Sequence, residues 1–213
     1  MATYEQYCAL AKALDVVGDR WTLLIVRELL SRGPLRYTDL RGGLPGIATN
    51  LLADRLRQLE AAEIVRRETI PPPVASTLFR LTPRGETLRP VVVELGRWGA
   101  PLLADAPPTD TFRAHWLTWP VEVFLHDSEP GGPPVTIQLD VGDDSVYVES
   151  GGGAPRLRRG RAEHPDAVLA GPPQLVAAAL MGSLSLDAAR AAGLRFEGDP
   201  RALRRLQPGV AAA

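Results

Sequence analysis

At 213 residues the chain is long for one small domain and suits two, and a composition 45% hydrophobic and 23% charged supplies a core for each. A net charge of −1 excludes a protein that coats nucleic acid indiscriminately: residues 1–108 hold 14 basic and 12 acidic residues and residues 109–213 hold 10 and 13, so any DNA contact rests on local placement of arginines. No apolar run reaches the ~18 residues of a membrane span, and MATYEQYCALAKAL lacks the basic start and apolar core of a signal peptide, so the expectation is a cytoplasmic protein with no membrane partner.

The first expected helix covers 5–17, with Cys8, Leu10, Ala11, Leu14 and Val17 at helical spacing and Gly18 as its stop. As the single cysteine, Cys8 excludes an internal disulfide and a multi-cysteine zinc site. Asp19 is the expected N-cap of a second helix with an inward stripe of Trp21, Leu24, Ile25 and Leu29, ended by Gly33 and Pro34. A short helix over 37–42 turns Tyr37 and Leu40 inward, and LPGI at 44–47 is a tight turn. A third helix follows over 49–62, its stripe Leu52, Leu56 and Leu59 at i, i+4 and i+7. Strands are expected at 64–70 and 77–81, joined by a proline-rich tip, PPPVAS. Thr82 and Pro83 open a last helix carrying Leu88, Val91, Val92, Leu95 and Trp98.

Helix, short helix, tight turn, helix and hairpin, in that order, make a winged helix-turn-helix. Opposite its leucine stripe the third helix leaves Thr49, Asn50, Ala53, Asp54 and Arg57. In a major groove, Asn suits adenine, Arg suits guanine and Ala meets a thymine methyl, while Asp54 repels phosphate unless it accepts from a cytosine amino group. Arg36, with Thr38 beside it, opens the short helix, where free N–H groups favour phosphate. Arg66, Arg67 and Arg80 flank the wing tip, placed for backbone or minor groove. Arg55, at the edge of the stripe, fits a phosphate or an internal acidic partner equally well.

The run VVGDRWTLLIVRELLSRGPLRYTDLRGGLPGIATNLLADRLRQLEAAEIVRR, continued by LFRLTPRGETLRPVVVELGRWG, resembles the HxlR-type branch of the MarR-like winged-helix regulators over about residues 5–103. Its marks are Gly18, Arg20, Trp21, Gly33-Pro34, Arg36-Tyr37, Leu40, Gly46, Leu52, Arg55-Leu56, Leu59-Glu60, Leu81-Thr82-Pro83 and Gly85. The resemblance implies a homodimer joined through the first and last helices, reading a pseudo-palindromic double-stranded operator with half-sites about one DNA turn apart. Many relatives begin the third helix with Ser; here Ala48-Thr49 moves the cap to Thr49 and leaves the register of base contacts open by one residue. Family members often carry a cysteine near Cys8 that senses oxidants or electrophiles; among apolar neighbours, Cys8 is instead expected to be a small buried hydrophobe.

The composition breaks at ADAPPTDT, giving a DNA-binding domain over 1–104, a linker over 105–111, a second domain over 112–208 and a tail over 209–213. The second domain is expected to be α+β, an antiparallel sheet covered by helices, with strands at 121–125, 135–141, 145–149 and 167–169, a turn at 142–144, and helices at 173–181 and 186–192. His115, His126 and His164 lack metal-ligand spacing and no nucleophile sits with a base, so neither enzyme, metal nor cofactor is expected. HPDAVLAGPPQLVAAALMGSLSLDAARAAGLRFEGDPRALRRL is similar to the C-terminal part of sterol-carrier-protein-like domains, which hold lipids in an apolar tunnel. That similarity implies a hydrophobic effector lined by Trp116, Trp119, Phe124, Leu175, Leu180, Met181 and Leu184. The rival expectations are a lipid carrier using the winged helix only to dimerise, and a thiol regulator working through Cys8.

Overall fold

In a computed structural model, which describes residues 3–73, 75–107, 109–142 and 144–208, the first helix, α1, spans Ala9–Val17 rather than 5–17. Before it the chain folds back: the Tyr4 N–H and Thr3 hydroxyl donate to the Asp15 carboxylate at 2.9 and 3.1 Å, and Cys8 is an extended N-cap. Of the expected inward stripe only Ala11 and Val17 are buried; Cys8, Leu10 and Leu14 lie at the surface.

Asp19 does not cap the second helix, α2 (Thr22–Arg32), whose N-cap is Trp21 in the left-handed region at φ 78°. Ile25, Val26, Leu29 and Leu30 form its buried face, with Leu24 exposed. A two-residue strand not expected from the sequence, β1 (Leu35–Arg36), precedes α3 (Tyr37–Gly42). The turn that follows buries Leu44 and Ile47 and puts Gly46 at φ 84°, a conformation that favours glycine. α4 (Thr49–Ala61) buries Leu52, Leu56 and Leu59 as their period dictates. Its N-cap is Ala48, with no side-chain cap, so Thr49 is the first helical residue and not the cap.

β2 (Val65–Ile70) and β3 (Ser76–Leu81) pair antiparallel, and β1 adds to the far side of β3, Leu35 opposite Phe79. Val74 of the proline-rich tip lies outside the described residues. The expected last helix is two. Thr82 caps α5 (Pro83–Glu86), its hydroxyl accepting from the Gly85 N–H at 3.0 Å and donating to the Glu63 carbonyl at 2.6 Å. α6 (Arg89–Gly99) starts afresh with Pro90 in its first turn, because a ring without an N–H cannot continue the preceding ladder. A 3-10 segment, Ala100–Asp105, closes this unit, 1–105.

The second unit, 106–213, opens with helical turns, Ala114–Leu117 and Pro120–Phe124, where a strand at 121–125 was expected. Ala114, Leu117, Val121 and Leu125 are its buried positions, a helical rather than an alternating spacing. Only β4 (Leu125–Asp127) is extended. β5 (Val135–Val141), β6 (Asp144–Ser150), β7 (Arg156–Arg159), β8 (Ala167–Gly171) and β9 (Arg195–Gly198) form one sheet in the order β7-β6-β5-β8-β9. It is mixed rather than antiparallel, because segment 160–166 returns across it and starts β8 parallel to β5. Alternate residues of the sheet, among them Ile137, Leu139, Val148 and Leu169, share a core with α7 (Pro173–Leu180), α8 (Leu186–Ala191) and α9 (Pro200–Arg205). β10 (Leu206–Pro208) pairs with β4. Pro108 of the expected linker, Asp143 of the expected turn and the expected tail over 209–213 lie outside the described residues. Among the described residues no helix is long and apolar enough to cross a membrane.

One buried ion pair clamps this unit. The Arg205 guanidinium meets Asp127 twice, at 2.6 and 2.8 Å, and donates to the carbonyls of Pro133 and Glu129 at 2.6 and 2.7 Å. Those bonds, with one from the Ser150 hydroxyl, hold the Asp127 carboxyl down to about 2 against the burial that opposes them.

Candidate nucleic-acid interface

The exposed side of α4 carries Thr49, Asn50, Asp54 and Arg57, with Ala53 half-buried among them. They stand opposite the buried leucines, so the helix is held by one face and offers the other. Arg57 donates to Asp54 one turn earlier, which neutralises the carboxylate and steers the guanidinium along the helix.

Two side chains, Tyr37 and Arg55, set the position of α4. The Tyr37 hydroxyl donates to the Thr49 carbonyl at 2.7 Å, tying its first turn to α3. Arg55 pairs with Asp19 at 2.6 Å and donates to the Arg20 carbonyl at 3.3 Å, so of its two expected partners the acidic one holds it. Beneath the turn lies Glu28, with no accessible surface, paired with Arg27 at 2.8 Å and Arg32 at 3.2 Å. Burial pulls the Arg27 guanidinium below its ordinary value and the Glu28 charge opposes that. Gly43 leaves room for the Glu28 carboxylate, since a Cβ there would overlap it. The charge of Glu28 inside an apolar stripe was the available sequence signal for this network; Asp19 and Tyr37 showed none, because their partners are distant in sequence.

Arg36 and Thr38 are exposed at the start of α3. The Arg36 N–H donates to the Asp39 carboxylate at 3.3 Å, so the helix start is occupied by an acid and the Arg36 side chain is what remains for phosphate. On the wing, Arg66 and Arg80 are direct cross-strand partners and share a face; Arg80 also pairs with Glu68 at 3.2 Å. Arg67 points to the other face, pairs with Glu60 of α4 at 2.7 Å and lies 5.3 Å from the Phe79 ring centre, and so fastens the wing to α4.

Cys8 is exposed, against the expectation of a buried thiol, because it precedes the first helical residue. In the second unit Leu180 is buried in the core, Leu175, Met181 and Leu184 pack against it, and Trp116, Trp119 and Phe124 are half-buried. Phe112 and Trp116 meet edge to face at 6.4 Å. A cleft of about 270 Å³ lies on the opposite face of the sheet and is lined by none of these seven residues. Among the described residues, no group of three His, Cys, Asp or Glu is placed to hold a metal ion.

Residues 16–106 match the model of the HxlR-like helix-turn-helix family. YvaP of Bacillus subtilis, an uncharacterized HTH-type transcriptional regulator, is 34% identical over 87 residues, covering 41% of this chain and 80% of that protein. The HTH-type transcriptional regulator YodB of the same bacterium is 35% identical over 86 residues, covering 40% of this chain and 76% of that protein. The solved reduced form of YodB is 33% identical and covers 44% of this chain and 92% of that one, with a TM-score of 0.40.

Proposed function

The chain belongs to the HxlR-like helix-turn-helix family, and from that premise we propose that it is a sequence-specific DNA-binding transcriptional regulator acting as a dimeric repressor. The observation that carries this is α4: its leucines are buried while Asn50, beside the turn fixed by Tyr37, and Arg57, two turns on, are exposed on the opposite face. Those are the side chains that distinguish adenine and guanine in a major groove. Arg36, Arg66 and Arg80 supply backbone contacts that set orientation.

The dimer forms through α1 and α6, whose apolar residues Leu10, Val91, Leu95 and Trp98 are uncovered in the single chain. The second unit is the effector domain, sterol-carrier-like, taking a hydrophobic molecule among Trp116, Trp119, Phe124 and the α7 residues. Such a molecule moves the dimer off DNA only if it binds the two states with different affinity.

The test is binding of the full-length protein to its own upstream DNA between about 50 and 200 mM salt. The expected result is a complex that outlasts one with scrambled DNA and weakens steeply with salt. Equal affinity for both sequences overturns specificity.

A second reading rests on the exposure of Cys8: oxidants or electrophiles act on its thiol and release DNA. Cys8→Ser then binds DNA normally and no longer responds; an unchanged response removes this reading.

A further inference from the structure

The face of the C-terminal sheet turned away from α7, α8 and α9 holds the cleft of about 270 Å³ that the preceding reading does not use. There β5, β8 and β9 lie side by side, and their register makes two rows: Gln138–Val168–Glu197 and Asp140–Ala170–Arg195. The middle strand contributes only Val168 and Ala170, so the longer side chains on either side stand above a low apolar floor.

Segment 160–166 walls one side, and Gln138 pins it. That buried side chain accepts from the Ala162 N–H at 2.9 Å and donates to the Val146 carbonyl at 3.0 Å and to Asp140 at 3.1 Å. The Asp140 carboxylate also accepts from the Ser145 hydroxyl at 2.8 Å and pairs with Arg161 at 3.3 Å. An acid so held is fixed in place before any ligand arrives. Two cations, Arg161 and Arg195, and two anions, Asp140 and Glu197, line the cleft.

We infer that this cleft binds a free α-amino acid. The space is smaller than pockets for drug-sized ligands. An acyl chain would take water from the exposed charges of Arg195 and Glu197 and offer them nothing in return, and a simple anion would face Asp140 and Glu197. An amino acid satisfies both signs: its carboxylate takes the guanidinium forks of Arg161 and Arg195, its ammonium turns to Asp140 and Glu197, and a small side chain rests on Val168 and Ala170. This goes beyond the hydrophobic effector proposed above and does not depend on DNA binding.

The experiment is calorimetric titration of the full-length protein with each of the common L-amino acids. Any that binds is compared with its decarboxylated amine and its deaminated acid. The expected result is one or more amino acids binding one to one, with both truncated analogues at least about tenfold weaker. Arg195→Gln, at an exposed position, is expected to weaken binding at least about tenfold with thermal unfolding unchanged. Ala170→Leu, which fills the floor, abolishes it. No binding at millimolar amino acid, equal binding of either analogue, or binding indifferent to Arg195→Gln overturns the proposal.

Discussion

Arg57 and Arg36 belong to different kinds of contact, and their truncations separate the two. Arg57 lies on the free face of α4, so Arg57→Ala is expected to cost about 1–3 kcal/mol on the preferred sequence and little on scrambled DNA, read by competition binding. Arg36 has only its side chain to offer, since its N–H serves Asp39. Arg36→Ala is expected to weaken all sequences about equally and to lower the salt slope by about one. Equal and negligible effects would mean the wrong face of α4 has been assigned to DNA. Gly43 belongs to the fold instead. Gly43→Ala drives a methyl into the Glu28 carboxylate, which is wholly buried between Arg27 and Arg32, and is expected to cost about 1–3 kcal/mol in thermal unfolding. Glu28→Ala, which empties that space, should relieve the overlap in the double variant, so the two substitutions are expected to be non-additive.

Helices α1 and α6 leave apolar residues uncovered, Leu10 and Leu14 on one and Val91, Leu95 and Trp98 on the other, and Trp98 is 73% exposed. Trp98→Glu in the full chain is therefore expected to shift the protein from dimer to monomer in light scattering and to weaken operator binding, while its thermal unfolding stays cooperative. A dimer that survives the charge would place the subunit contact elsewhere. These two elements also show what the sequence could convey. Period alone marked α4, because Leu52, Leu56 and Leu59 face a core within the same unit. The same period in α1 read as inward although Leu10 and Leu14 lie at the surface, because period marks an apolar stripe and not what covers it. In the second unit, alternation found β5 and β6, but 121–125 read as a strand when the burial of Val121 and Leu125 follows a helical turn. The Asp127–Arg205 clamp was invisible, its partners being 78 residues apart. Asp127 sits near 2 in the fold against an ordinary 3.8, and a depressed carboxyl stabilises only while ionised. That contribution, roughly 2 kcal/mol, is present above about pH 4 and lost as the pH falls toward 2. Acid unfolding followed through tryptophan fluorescence is expected to show it. Asp127→Asn should remove this pH dependence and cost about 3–5 kcal/mol at neutral pH, because the Arg205 charge is left buried without its partner.

The chain divides at Asp105 into two units, and each buries hydrophobic residues of its own. If, as proposed, the first unit reads DNA and the second a small molecule, reading needs the first unit alone while regulation requires that the two be joined. Cleavage near 106–111 separates those two requirements. We expect limited proteolysis there to leave an N-terminal fragment that still dimerises and still prefers the operator, since α1, α4, the wing and α6 all lie within it. We expect the same fragment to have lost any response to a molecule bound by the second unit, because coupling between two sites needs a state that both can bias. A fragment that binds DNA more weakly than the intact chain would show the second unit supporting the reader directly. A fragment that keeps the response would place the effector site in the first unit, and would turn attention from the sheet of the second unit to the exposed thiol of Cys8.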